Sequence, residues 1–183
     1  MKKLNKEEEL IKEAISGDDK AFEKLINSYK VHLYKISYSY VKNKDTSLEV
    51  IQDITYKAWF NIGSLKDVKL FKAWITKIAV NTALTYVKKD KKVLFIEDLL
   101  ESKNPLIYKP KEISIEEKLD LYQALDLLKP KYKTIILLRY FDDMKIEDIA
   151  YILDLSSNTV KTRLRRAKEG LSGILKEDYL NEK

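Results

Sequence analysis

Cysteine is absent from the 183 residues. That excludes disulfides, thiolate metal sites and a cysteine nucleophile, and it fits a reducing cytosol. Glycine occurs four times and proline three times, too few for a turn-rich all-β chain. The one histidine, His32, lies in an apolar, tyrosine-rich stretch that suits a packed side chain better than a base or a ligand. No Gly-rich phosphate loop is present, and no pair of carboxylates has an evident positioned partner. The chain therefore reads as no enzyme, with no cofactor and no metal site. No apolar run approaches the roughly 18 residues of a membrane span, so direct membrane insertion is not expected. The N-terminal MKKLNKEEEL turns acidic before any apolar core of a signal peptide could form. The expectation is a soluble, cytoplasmic protein.

Arginine is scarce as well. Of 35 basic side chains only four are arginine, and three of these are Arg163, Arg165 and Arg166. Lysine carries the same charge, so charge alone does not explain the switch. Arginine adds a planar fork of donors that grips two acceptors at once, as guanine's major-groove edge and a phosphate both offer. The stretch SSNTVKTRLRRAK, 156–168, holds five positive charges and no negative one, whereas 119–155 holds seven acidic and five basic side chains. The basic patch is therefore local. The net charge of +6 favours a polyanionic partner only weakly.

What is abundant is helical periodicity. Leu10, Ile11, Ala14 and Ile15 predict a short amphipathic helix that stops at Gly17. Asp18 or Asp19 can cap the next helix, whose apolar residues run from Phe22 to Tyr40. Thr46 and Glu49 have the spacing of a capping box, opening a helix that runs to about Phe60. A long helix is expected over about 70–89. Residues 93–113 hold two of the three prolines and no sustained period, and read as a flexible linker. Ser114 with Glu117 forms a second capping box, before a helix ending near Leu128. Another helix is expected over 131–140. The fold class is all-α, with two small helical domains at 6–92 and 114–178.

In KIEDIAYILDLSSNTVKTRLRRAKEGL, Ile146, Ile149, Ala150 and Leu153 form one inward stripe, and Val160, Leu164, Ala167 and Leu171 another. The DLSS between them allows only a tight turn, with Ser156 or Ser157 as N-cap. Two short helices so joined make a helix-turn-helix, here at about 145–168. Asn158, Thr162 and Arg165 point away from the inward stripe, Lys161 and Arg166 flank them, and Arg163 and Lys168 sit at the shoulders. Base readers at the crest with backbone anchors beside them are what a recognition helix needs.

These residues resemble the extracytoplasmic-function group of bacterial sigma factors. TVKTRLRRAK is similar to the recognition helix of that family's sigma-four domain, and LKPKYKTIILLRYFDDMKIEDIA to the helices before it. DTSLEVIQDITYKAW, 45–59, is similar to the helix that docks on RNA polymerase. FKAWITKIAVNTALTYVKKDKK, 71–92, is similar to the helix that melts and holds the minus-ten element. The resemblance covers nearly the whole chain, in order. It implies a sigma-two-like and a sigma-four-like domain, and promoter-specific initiation in an envelope or other stress response.

The resemblance also implies sites. Glu49, Gln52, Asp53 and Tyr56, at i, i+3, i+4 and i+7, would meet the coiled-coil clamp helices of the polymerase's largest subunit; Glu49, Gln52 and Asp53 have no evident intramolecular need for that face. Asn81 matches the position that contacts the flipped minus-ten base, and Leu65 falls in the loop that closes its pocket. Lys72, Lys77, Lys88 and Lys89 would follow strand phosphates. Phe71, Trp74 and Tyr86 supply aromatic rings on the same helix, Phe71 and Trp74 being expected in the core. Asn158, Lys161, Thr162, Arg163, Arg165, Arg166 and Lys168 would contact the minus-thirty-five element. Promoter DNA, core polymerase and a membrane-anchored anti-sigma factor are the implied partners. A dimeric DNA-binding regulator would explain 114–178 alone and leave the first half idle.

Overall fold

The computed structural model describes residues 2–94 and 121–181. The chain divides into two compact units, Met1–Glu97 and Asp98–Lys183, and the described residues of each form helices.

In the first unit, α1 (Lys2–Ile15) turns into α2 (Asp19–Val41). Gly17 makes that turn at φ +94°, a backbone region that L side chains rarely enter. Asp18 then caps α2, its carboxylate accepting from the Lys20 and Ala21 amides at 2.8 and 3.0 Å. Helix α3 (Lys44–Asn61) starts earlier than its apolar pattern suggests. Its cap is Asn43, in extended backbone, whose side-chain oxygen accepts from the Thr46 amide at 2.9 Å. The expected Thr46–Glu49 capping box is therefore not the start of this helix. Thr46 lies inside the first turn, and Glu49 is left to face outward. Two short 3-10 turns, Ile62–Ser64 and Val68–Leu70, lead into α4 (Phe71–Leu94).

Helix α2 packs against α1, α3 and α4, and α3 packs on α4. The core is made by Leu25 and Leu33 from the expected stripe of α2, with Val50 and Ile54 from α3 and Ile75 and Ala79 from α4. Phe71 and Trp74 are buried too, as expected. Helix α1 is held by more than packing: the Tyr29 hydroxyl donates to Glu7 at 2.7 Å. His32 is half-buried, and its Nε2 lies 2.8 Å from the Thr76 hydroxyl.

In the second unit, α5 (Leu121–Leu127) precedes α6 (Pro130–Ile136). Proline at the first helical position costs no hydrogen bond there. The helix expected over 131–140 does not continue in α geometry. At Leu137–Phe141 it widens into a π turn, with the Asp142 amide reaching back to Leu137 at 3.1 Å. The Arg139 guanidinium closes this turn on the Met144 carbonyl at 2.8 Å. The wider turn buries Leu138 and leaves Tyr140 and Phe141 exposed. Helices α7 (Ile146–Leu153) and α8 (Ser157–Asn181) follow. Ala124, Leu125, Leu128, Tyr132 and Ile136 pack with Ala167 and Ile174 of α8.

The expected linker, 93–113, lies outside the described residues except at its first two positions, which still belong to α4. The Ser114–Glu117 box and the start of its helix also lie outside the described residues.

Candidate nucleic-acid and partner-binding interfaces

Helix α7 ends at Asp154, which takes the left-handed conformation at φ +52° and donates its amide to Ala150. Asp tolerates that region better than most residues. The Leu155 amide also bonds Ala150 O, at 3.0 Å. The Ser156 hydroxyl accepts from the Thr159 amide at 3.1 Å, so Ser156 rather than Ser157 caps α8. Two turn-closing bonds and one cap thus fix where α8 leaves α7.

Inward, α8 buries Val160 and Ala167 and half-buries Leu164 and Leu171. Outward, Asn158, Lys161, Thr162, Arg165, Arg166 and Lys168 are all exposed, and Arg163 is half-buried on the shoulder. The structure therefore gathers the expected basic residues on one helix, most of them on its open side. It adds two contacts that spacing alone leaves open. Arg165 forms an ion pair with Glu169 one turn on. The Lys168 ammonium lies 5.3 Å from the centroid of the Tyr140 ring, which ties α8 to the π turn.

On α3, Glu49, Gln52, Asp53 and Tyr56 are exposed on one side. The face is longer than those four residues. Phe60, four residues after Tyr56, is 72% exposed and stacks on Tyr56 with ring centroids 6.5 Å apart. Leu48 and Trp59 flank the stripe, also exposed, and the Trp59 indole donates to Asp19 at 3.0 Å. An acidic half thus runs into an aromatic half. Trp59 and Phe60 are apolar by type, but their phase on the helix, set by Val50, Ile54 and Ala58 in the core, turns them out.

Asp53 does have a partner inside the unit. The Tyr86 hydroxyl of α4 donates to Asp53 Oδ2 at 2.9 Å. Burial holds the Tyr86 phenol above its ordinary range, helped by that bond and by the charges of Asp53 and Glu49. The expectation that this face lacks any intramolecular role is corrected at this one residue.

On α4, Asn81 is exposed, with Lys77 one turn before it, half-buried, and Lys88 two turns after it, exposed. Those three share a side. Lys89 lies to one edge. Lys72 is also exposed, but nine residues, roughly two and a half turns, before Asn81, it belongs to the opposite side. Leu65 departs most from its expected setting. It is 7% exposed, its side chain part of the core. An apolar side chain leaving the Ile62–Ser64 turn loses less by facing inward than by facing water.

Among the described residues no group of His, Cys, Asp or Glu side chains is arranged to hold a metal. No helix among them is long and apolar enough to cross a membrane.

Comparison with known proteins agrees with this anatomy. The family model for Sigma-70 region 2 matches residues 25–93, and that for Sigma-70, region 4 matches 118–171. RNA polymerase sigma factor SigV of Bacillus subtilis is 39% identical over 142 residues, covering 78% of this chain and 83% of SigV. The ECF RNA polymerase sigma factor SigW of the same organism is 27% identical, covering 91% and 95% of the two chains. Among solved structures, the sigma factor RpoE in complex with the anti-sigma factor NepR, from Bartonella quintana, aligns with a TM-score of 0.66 at 24% identity. That alignment covers 86% of this chain and 98% of RpoE. Two regions in sigma order, a relative well above the level of chance and a shared fold lead to one assignment: this chain belongs to the extracytoplasmic-function group of RNA polymerase sigma factors.

Proposed function

We propose that this sigma factor docks on core polymerase through α3, reads the minus-thirty-five element with α8 and captures the minus-ten strand with α4. As a sigma factor it directs promoter-specific initiation and is not an enzyme. The observation that carries the site assignment is the outward face of α8: Asn158, Lys161, Thr162, Arg165 and Arg166 stand exposed directly after a turn fixed by Asp154 and Ser156.

On α3, Glu49 and Asp53 suit arginines of the clamp helices, while Tyr56 and Phe60 add an apolar anchor. On α4, Asn81 offers both donor and acceptor to a flipped base edge, with Lys77, Lys88 and Lys89 toward phosphates. Lys72, on the other side of that helix, would reach a different stretch of backbone. Leu65 would support the base-binding loop from beneath.

The protein would act in the cytoplasm, where its polymerase and promoters are, in an envelope or other stress response. A membrane-anchored anti-sigma factor would hold it inactive by covering these faces. The RpoE complex with NepR supports an anti-sigma factor as a partner.

The test is run-off transcription with core polymerase on a promoter panel. Specific transcripts that need both core and this protein are expected, with no tight operator binding by the protein alone. Tight, specific DNA binding without core, and no transcript with it, would replace this account with a conventional regulator.

A further inference from the structure

Among the described residues, two hydrogen bonds between side chains link α3 to α4, and they differ in kind. The Lys57 ammonium donates to Thr82 at 3.1 Å, and Tyr86 donates to Asp53 at 2.9 Å. Positions 53 and 57 are one turn apart on α3, and 82 and 86 are one turn apart on α4. They pair in opposite order, so the helices run antiparallel here and the bonds are successive rungs. The Lys57 rung ends on a buried threonine and serves the packing. The Tyr86 rung ends on an exposed carboxylate, which water would satisfy as well. Its bearing on stability is small; its bearing on geometry is not. It occupies Oδ2 and biases the Asp53 rotamer, leaving Oδ1 for a donor from outside. The Tyr86 ring also carries the Lys89 ammonium, 5.6 Å from its centroid.

We propose that Tyr86 is a positioning residue for polymerase docking: its hydroxyl holds the Asp53 carboxylate in the orientation that receives a cationic side chain of core. This rests on the docking role of α3. A carboxylate frozen before encounter does not lose that rotational freedom on binding. The same phenol joins the docking helix to Lys89 on α4.

The test is a double-mutant cycle on core affinity with the full chain: Tyr86→Phe, Asp53→Ala and both together. Tyr86→Phe keeps the ring and its contact with Lys89 and removes only the donor. It is expected to weaken core binding about 2- to 10-fold with thermal unfolding nearly unchanged. Asp53→Ala is expected to weaken binding more, and the double variant to match Asp53→Ala alone. Additive losses would overturn the proposal, because Tyr86 would then contact core by itself. Slower strand opening by Tyr86→Phe at saturating core would also overturn it, placing the hydroxyl on DNA. If Asp53→Ala weakens core binding and Tyr86→Phe does not, the docking face stands and this inference falls. If Asp53→Ala has no effect, the docking role itself is wrong.

Discussion

Replacing Arg165 by alanine separates base reading from simple attraction to phosphate. In the free protein its guanidinium is paired with Glu169, both side chains lying more than half in solvent, at 65% and 53% exposure. An exposed pair one helical turn apart is worth only about 0.2–0.5 kcal/mol. A bidentate contact to guanine is worth about 1–3 kcal/mol of discrimination. DNA therefore outcompetes Glu169 for the guanidinium, and the net gain is about 0.5–2.8 kcal/mol. Arg165→Ala should cost about 2- to 100-fold on the preferred minus-thirty-five sequence, and little on a promoter already changed at the base it reads. Arg165→Lys keeps the charge but not the fork and should recover only a small part of the loss. Glu169→Gln removes the competitor and should tighten binding about twofold. The assay is run-off transcription by holoenzyme, at fixed salt, on templates differing by single base pairs in that element. Equal losses on every template, or full recovery by lysine, would refute a base-reading role for Arg165.

Lys168→Ala should weaken all promoters alike and reduce the slope of log affinity against log salt by about one; a sequence-dependent loss would move Lys168 from phosphate to base. Asn81→Ala should leave core binding intact and slow strand opening, followed by permanganate reactivity of minus-ten thymines, and a pre-melted promoter should partly rescue it; opening at the parent rate would make Asn81 structural. Gly17→Ala should cost about 1–2 kcal/mol, seen as a lower Tm. A Cβ there meets nothing within 4 Å, so the cost is backbone strain alone, and an unchanged Tm would refute it. Burial, with the bond to Glu7, pushes the Tyr29 phenol far above its ordinary value. The neutral phenol thus favours the fold fully below the ordinary value of about 10, and that contribution is lost as pH rises through the folded-state value. In an ultraviolet alkaline titration, Tyr29→Phe should remove one late-titrating tyrosine; no change in the late phase would refute this.

Features that depend on local spacing were legible in the chain before it folded. Apolar stripes at helical period placed α2, α7 and α8, because a helix buries one side and the buried side repeats. The charge step at Ser156 marked α8, because five cations without a carboxylate are visible in one dimension. Tertiary structure decided what depends on which surfaces meet. Leu65 became core, and Phe60 became surface, because neighbouring helices set the phase of each segment and hydrophobicity alone does not. Asn43 displaced Thr46 as the cap of α3, since capping follows backbone geometry at the helix start as well as residue type. The π turn at Leu137–Phe141 broke a helix that spacing continued. The bond from Tyr86 to Asp53 spans 33 residues. No pattern within either helix announces it, since it exists only because α3 and α4 pack antiparallel at that register.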